Sequence, residues 1–134
     1  MSQVLLAGLA NALQELEEIG IQAIEQRIAS LSGLLRTAMD RIPGLQRQDL
    51  GTPGRQSGLI AFTLKGWDSL ALKARLARQG INIGANGVAY TPLDMQARGL
   101  ASIARIAVSH LNTEGEIQRL LRALEELAEG GPAG

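Results

Sequence analysis

The sequence predicts an α+β domain: a small antiparallel or mixed sheet of about four strands, covered on one face by helices and preceded by two N-terminal helices. Three observations carry that expectation. Leucines and isoleucines recur at helical spacing near both ends of the chain, Leu5, Leu6, Leu9, Leu13 and Leu16 in one stretch and Ile117, Leu120, Leu121, Leu124 and Leu127 in another. Strict alternation marks strands in the second half, at Gly58–Leu64 and from Arg105 onward. The patterns follow one another as α-α-β-β-α-β-β-α, so the strands come in pairs, which favours antiparallel neighbours with helices layered on them.

Taken in order, the first helix is expected over Ser2–Glu18, with Ser2 as its cap and Gly20 just past its end. Its leucines need a cover, and Glu15, Glu17 and Glu18 oppose the helix dipole. A second helix is expected from about Gln22 to Arg41, its stripe formed by Ile24, Ile28, Leu31, Leu35 and Met39 and its stop by Pro43-Gly44. Glu25, Gln26, Arg27, Arg36 and Arg41 read as its solvated face. Leu45–Asp49 reads as a short edge strand, paired through the Gly51–Gln56 turn region with Gly58–Leu64. Asp68 caps a third helix that runs to Gln79 and ends at Gly80. Ile81 and Ile83 read as a short strand, followed by a long loop, Gly84–Leu100. In the last strand Ile106 and Val108 take one face, and Arg105, Ala107 and Ser109 the other. Thr113 with Glu116 forms a capping box that opens the final helix, expected to reach about Ala128. A single domain is expected over residues 1–129, with 1–20 a linker-like helix, 21–129 the core and 130–134 a frayed tail.

Composition excludes several kinds of function. Of the 134 residues 46% are apolar but only 2% aromatic, so the core must be aliphatic. Thirteen basic and thirteen acidic residues cancel, and no basic block or aromatic platform exists, which argues against nucleic acid as a partner. There is no cysteine, which rules out disulfides, thiolate metal sites and a cysteine nucleophile, and fits a cytoplasmic location. No apolar run reaches membrane-spanning length, and no signal segment is evident at the N-terminus.

Groups able to do chemistry are few. His110 is the sole histidine, so neither a histidine metal cluster nor a two-histidine relay is available. Ser109 beside it points to the opposite face of a strand. Lys65 and Lys73 lack the apolar setting that a Schiff-base lysine requires. Asp94 and Arg98 stand at ion-pair spacing in the long loop. The glycines of Gly80–Gly87 follow a helix and open none, so the dinucleotide fingerprint is not met. Arg105 remains; by itself an arginine in a strand reads first as half of a structural ion pair.

Five stretches in order nevertheless resemble one family: Leu16-Glu-Glu-Ile-Gly-Ile-Gln-Ala-Ile-Glu25, Ser57-Gly-Leu-Ile-Ala-Phe-Thr63, Leu76-Ala-Arg-Gln-Gly-Ile-Asn-Ile83, Leu93-Asp-Met-Gln-Ala-Arg-Gly-Leu100, and Arg105–Thr113 with its helix. Together they are similar to the C-terminal small domain of class V aminotransferases, fold-type I pyridoxal-phosphate enzymes, in the branch of the cysteine desulfurases and isopenicillin epimerase-like proteins. The resemblance implies that Arg105 binds the substrate α-carboxylate, that the domain helps close the active site, and that the intact enzyme acts on an amino acid. It implies no catalytic, metal or cofactor-binding residue in this stretch. Pyridoxal 5'-phosphate and its Schiff-base lysine would belong to a large domain, and partners would be that domain or further copies in a homo-oligomer, commonly a dimer. Ala89 stands where the desulfurases carry their nucleophilic cysteine, Leu111 replaces an aromatic residue of the motif, and Gly115 weakens the first turn of the last helix. The alternative expectation is a non-catalytic dimerisation or protein-interaction module derived from such a domain.

Overall fold

The lone phenylalanine, Phe62, lies fully buried at the centre of the aliphatic core. It sits in the second strand of a computed structural model that describes residues 2–131. The elements are α1 (Gln3–Ile19), α2 (Ile21–Met39), β1 (Leu45–Arg47), β2 (Leu59–Leu64), α3 (Ser69–Ala77), β3 (Gly84–Gly87), α4 (Pro92–Ala97), β4 (Ser102–Ala107) and α5 (Glu114–Gly130). The strands form one sheet in the order β1-β2-β4-β3, antiparallel throughout. The architecture is therefore α+β, as expected, with the two expected pairs joined edge to edge through β2 and β4. Residues 132–134 of the expected tail lie outside the described residues, and Gly130 still belongs to α5.

Alternation decides which face is buried. Ile60, Phe62 and Leu64 of β2 and Ala104 and Ile106 of β4, with Val108 just beyond, join one cluster with Leu31, Leu35 and Met39 of α2, Leu72 and Leu76 of α3, and Ile117, Leu120, Leu124 and Leu127 of α5. Each large side chain hidden this way contributes roughly 1.5–3 kcal/mol, so the helical layer is fixed on this face of the sheet. Met95 in α4 and Ile103 in β4 are buried too, but stand apart from that cluster. Arg98, which caps the C-terminus of α4, donates to the Gln48 backbone carbonyl, and the Gln48 amide donates to Thr63 Oγ1 at 3.2 Å. Thr63 lies on the odd-numbered face of β2, so α4 reaches the side of the sheet that the core leaves free.

Several local expectations are corrected. The third strand is Gly84–Gly87; Ile81 and Ile83 precede it, and Ile83 packs into the core without belonging to a strand. The stretch 84–100 is no open loop, because it holds β3 and α4. Pro92 at the first helical turn of α4 is the local reason, since its fixed φ suits that place and its missing N–H is not needed there. The last strand is 102–107, so Arg105 is mid-strand and not at its start. Ser2 makes no side-chain cap on α1. Arg36 is removed from the solvated face: it is buried, for reasons given below.

The other caps form as expected. The Asp68 carboxylate accepts from the backbone N–H groups of Leu70 and Ala71 at 3.0 and 3.1 Å. Thr113 and Glu116 complete the reciprocal box on α5. These bonds leave a pH signature. The Ala71 N–H above all holds Asp68 below the ordinary 3.8, and the Thr113 N–H holds Glu116 below the ordinary 4.5. The Arg47 guanidinium, through its hydrogen bond, does the same for Asp40, again against 3.8. A carboxylate depressed in the folded state contributes stability that is complete above its unfolded pKa and lost as pH falls through its folded one. Urea midpoints should therefore be level from neutrality to about pH 5 and drop below about pH 4. A midpoint unchanged at pH 3 would contradict these cap bonds.

Candidate functional site

Arg105 occupies the middle of β4, an inner strand of the sheet, and is itself paired on both sides. Its neighbours across the ladder are Ala61 on β2 and Gly84 on β3. Both are small, so neither side chain fills the space above the sheet at this level. A Cβ on Gly84 would stand 3.7 Å from Arg105 Cβ and 3.8 Å from its Nε, so a side chain there would lie directly against the arginine. The parity expected from the sequence holds: Ile106 and Val108 are buried with the helices, while Arg105 is half-buried and Ala107 exposed on the other face.

The decisive feature is the Nε of Arg105. It is buried and has no hydrogen-bond partner. Among the described residues no carboxylate pairs with Arg105 either, so the structural ion pair that an isolated strand arginine suggests does not form. A buried unsatisfied donor costs on the order of 1–3 kcal/mol, and a charged one more. The arrangement is thus a half-buried, forked cation with one enclosed, unused donor on the face of the sheet away from the core, and such a fork matches a planar anion such as a carboxylate.

The other candidates are placed apart from it or spent on structure. Asn112 builds the turn into α5, its Oδ1 accepting from the Ser109 N–H at 2.8 Å and its Nδ2 donating to Glu116 at 3.3 Å. His110 is half-buried in that same turn. Asp94 and Arg98 form the expected ion pair at 3.3 Å, between α4 and its C-cap. Lys65 and Lys73 are exposed, and neither faces an enclosed apolar space. Ala89 is exposed in the turn between β3 and α4. Among the described residues no group of three or more His, Cys, Asp and Glu side chains is placed to hold a metal. No helix among them is long and apolar enough to cross a membrane.

A buried network escaped sequence reasoning. Arg36 Nε donates to Asp49 Oδ2 at 2.8 Å, and its Nη2 donates to the carbonyls of Ser57 and Leu59 at 2.8 and 3.2 Å. Arg47 adds Asp49 at 3.5 Å and Asp40 at 2.6 Å. The signal was Ser32, a small residue one turn before Arg36 and itself buried, which makes room for a long side chain beside the leucine stripe. These groups floor a groove of about 720 Å³ between α2 and the 51–58 loop. Their donors and acceptors are matched to one another, so the groove has fewer unused polar groups than the open sheet face.

Comparison with known proteins gives this geometry its context. Residues 3–120 match the family Aminotransferase class-V. A probable cysteine desulfurase of Mycobacterium leprae is 27% identical over 124 residues, which make up 92% of this chain and 20% of that protein. One from Xylella fastidiosa is 28% identical over 117 residues, 87% of this chain and 27% of that protein. Among solved structures, the apo cysteine desulfurase of Thermococcus onnurineus superposes with a TM-score of 0.85 at 22% identity, over 92% of this chain and 30% of that one. The cysteine desulfurase CsdA of Escherichia coli gives 0.81 at 25% identity, over 93% of this chain and 30% of that one. The chain thus spans less than a third of the length of each of these proteins. With most of its residues inside the family match and its strands and helices in the same arrangement, the chain belongs to the class-V aminotransferase family.

Proposed function

We propose that this chain serves as the small domain of a class-V aminotransferase or cysteine desulfurase-like enzyme, in which Arg105 binds the α-carboxylate of an amino-acid substrate and the domain helps close the active site. The observation that carries the reading is the buried, partnerless Nε of Arg105 on the face away from the core. A substrate carboxylate would supply the missing acceptor, and water would be displaced as it docks. Pyridoxal 5'-phosphate, which supplies the electron sink in such enzymes, does not fit this chain's own residues. Both lysines are exposed, and among the described residues no cradle of buried donors is left open for its phosphate. In this reading the cofactor is held by the rest of the enzyme, and the contribution of this chain is to bind and orient one end of the substrate. The exposed Ala89 offers no thiol, so a step that needs a protein persulfide has no acceptor here.

Arg105→Ala is the test. In the isolated chain it should not lower folding stability by urea titration, because no partner is stranded and a buried donor without an acceptor is removed. The Arg105 Nε–H resonance should shift when the chain is titrated with alanine and stay put with ethylamine, which lacks the carboxylate. In the assembled enzyme the same substitution should weaken substrate binding by roughly 1.5–3 kcal/mol, the worth of a charge-assisted contact. A loss of roughly 3 kcal/mol or more in the isolated chain would mark Arg105 as a structural residue instead.

A further inference from the structure

β3 is the least strand-like stretch of the sheet. Gly84-Ala-Asn-Gly87 holds no β-branched or aromatic residue, and Asn86 stands in its interior, where asparagine is disfavoured. Places where a sequence breaks such a local rule are expected to be functional sites. The fold itself makes no use of this side chain. The half-buried carboxamides of Gln48, Gln56 and Asn112 are bonded within the structure. That of Asn86, also half-buried, is in no hydrogen bond among the described residues.

Register places Asn86 beside the arginine. Asn86 lies opposite Ile103 and Gly84 opposite Arg105, so Asn86 and Arg105 project from the same face of the sheet. The arginine leans toward β3, since its Nε is 3.8 Å from where a Gly84 Cβ would stand. The next position on that face of β3 is Asn86, two residues along, or roughly 6.6 Å at the usual rise of a strand. With glycine at 84, no β3 side chain on this face stands nearer to the arginine. The two oxygens of one carboxylate, each accepting a hydrogen bond of about 2.9 Å, bridge a gap of that size. On the other flank β2 presents Ala61, which has no side-chain donor. Thr63, the polar residue of β2 on this face, already accepts from Gln48.

We infer that Asn86 is the second substrate-binding residue of this face: its Nδ2 donates to one oxygen of the carboxylate whose other oxygen accepts from the guanidinium of Arg105. The inference rests on reading Arg105 as the carboxylate site, and adds a neutral donor that fixes the carboxylate against β3. A guanidinium alone accepts an anion along more than one edge, and a donor further along β3 selects one of them. Asn86 brings direction without a second charge, so the site remains matched to a single carboxylate.

The experiment is a titration of the isotope-labelled full chain with alanine, following the Arg105 Nε–H and Asn86 Nδ2–H resonances. Both should shift with one common dissociation constant, and neither should move with ethylamine. Asn86→Ala should keep the wild-type melting temperature, because nothing in the fold is bonded to the carboxamide. It should weaken alanine binding about three- to tenfold, the usual worth of one hydrogen bond. Asn86→Asp sets a carboxylate where that of the substrate would lie. In this variant the Arg105 Nε–H should move toward its ligand-bound position with no alanine present, and alanine should bind at least about tenfold more weakly than to the wild type. A merely structural asparagine would give neither effect. An Arg105 shift without an Asn86 shift, or unchanged alanine binding by Asn86→Ala, would overturn the role of Asn86 and leave the reading of Arg105 standing. An Asn86 shift that persists undiminished in Arg105→Ala would overturn the shared grip. A clearly lowered melting temperature in Asn86→Ala would assign the residue to the fold and overturn it too. No shift at either residue would overturn both readings.

Discussion

Replacing Arg36 by alanine is expected to destabilise the domain by roughly 3–5 kcal/mol, the cost of stranding a buried charge. The Arg36 and Asp49 side chains are only 9% and 8% exposed. Removing the guanidinium leaves Asp49 with Arg47 at 3.5 Å and Gln56 at 3.4 Å, both longer than the bond it loses. It also leaves the carbonyls of Ser57 and Leu59 without the donor that ties the entry of β2 to α2. Arg47→Ala removes a charge from the same carboxylate but from a more exposed position, and should cost about 0–1 kcal/mol. Parallel urea titrations check both, and equal losses for the two variants would refute the assignment of Arg36 as the buried anchor.

Gly58→Ala should be the next most damaging change, at about 3 kcal/mol, the upper end for overpacking. An added Cβ would stand 2.4 Å from the Val108 carbonyl oxygen and 2.8 Å from Ile28 Cγ2. The first obstacle is backbone, and it cannot withdraw without disturbing the bond from the Val108 N–H to the Gly58 carbonyl at 2.8 Å. That bond carries the β2–β4 pairing one step beyond the strands themselves. Gly33→Ala gives the contrasting result. It sits in the interior of α2 with nothing within 4 Å of the added atom, so it should raise stability by roughly 0.5–1 kcal/mol. Thermal or urea unfolding that ranks the two alanines the other way would show that the close approach at Gly58 is not real.

Long periodic segments were legible in the sequence, and short ones were not. The stripe of α5 and the alternation of β2 each rest on several residues voting for one period, and both elements appear where the pattern puts them. β3 could not be read that way, because Gly84-Ala-Asn-Gly87 has no apolar alternation; it exists because β4 offers it an edge. Ile81 and Ile83 carried the period instead, and the core claims Ile83 without a strand. Arg36 was misplaced because composition treats an arginine as solvated, whereas two carbonyls and one aspartate offset the cost of burying it. Parity alone put Arg105 on the free face. Its lack of a partner was invisible, since whether a strand arginine meets a carboxylate depends on what the neighbouring strands present, and here they present Ala61 and Gly84.

A single residue, Gly20, joins α1 to α2, with φ 92 and ψ 123 and nothing within 4 Å of where a side chain would begin. It works as a pivot with a long lever on one side. A swing of 10° there displaces the far tip of a 17-residue helix by about 4 Å, given a rise of about 1.5 Å per residue. The direction of α1 relative to the core is therefore set by two torsions of one residue. An L-amino acid at position 20 would resist that φ and redirect α1 while leaving the core and Arg105 untouched.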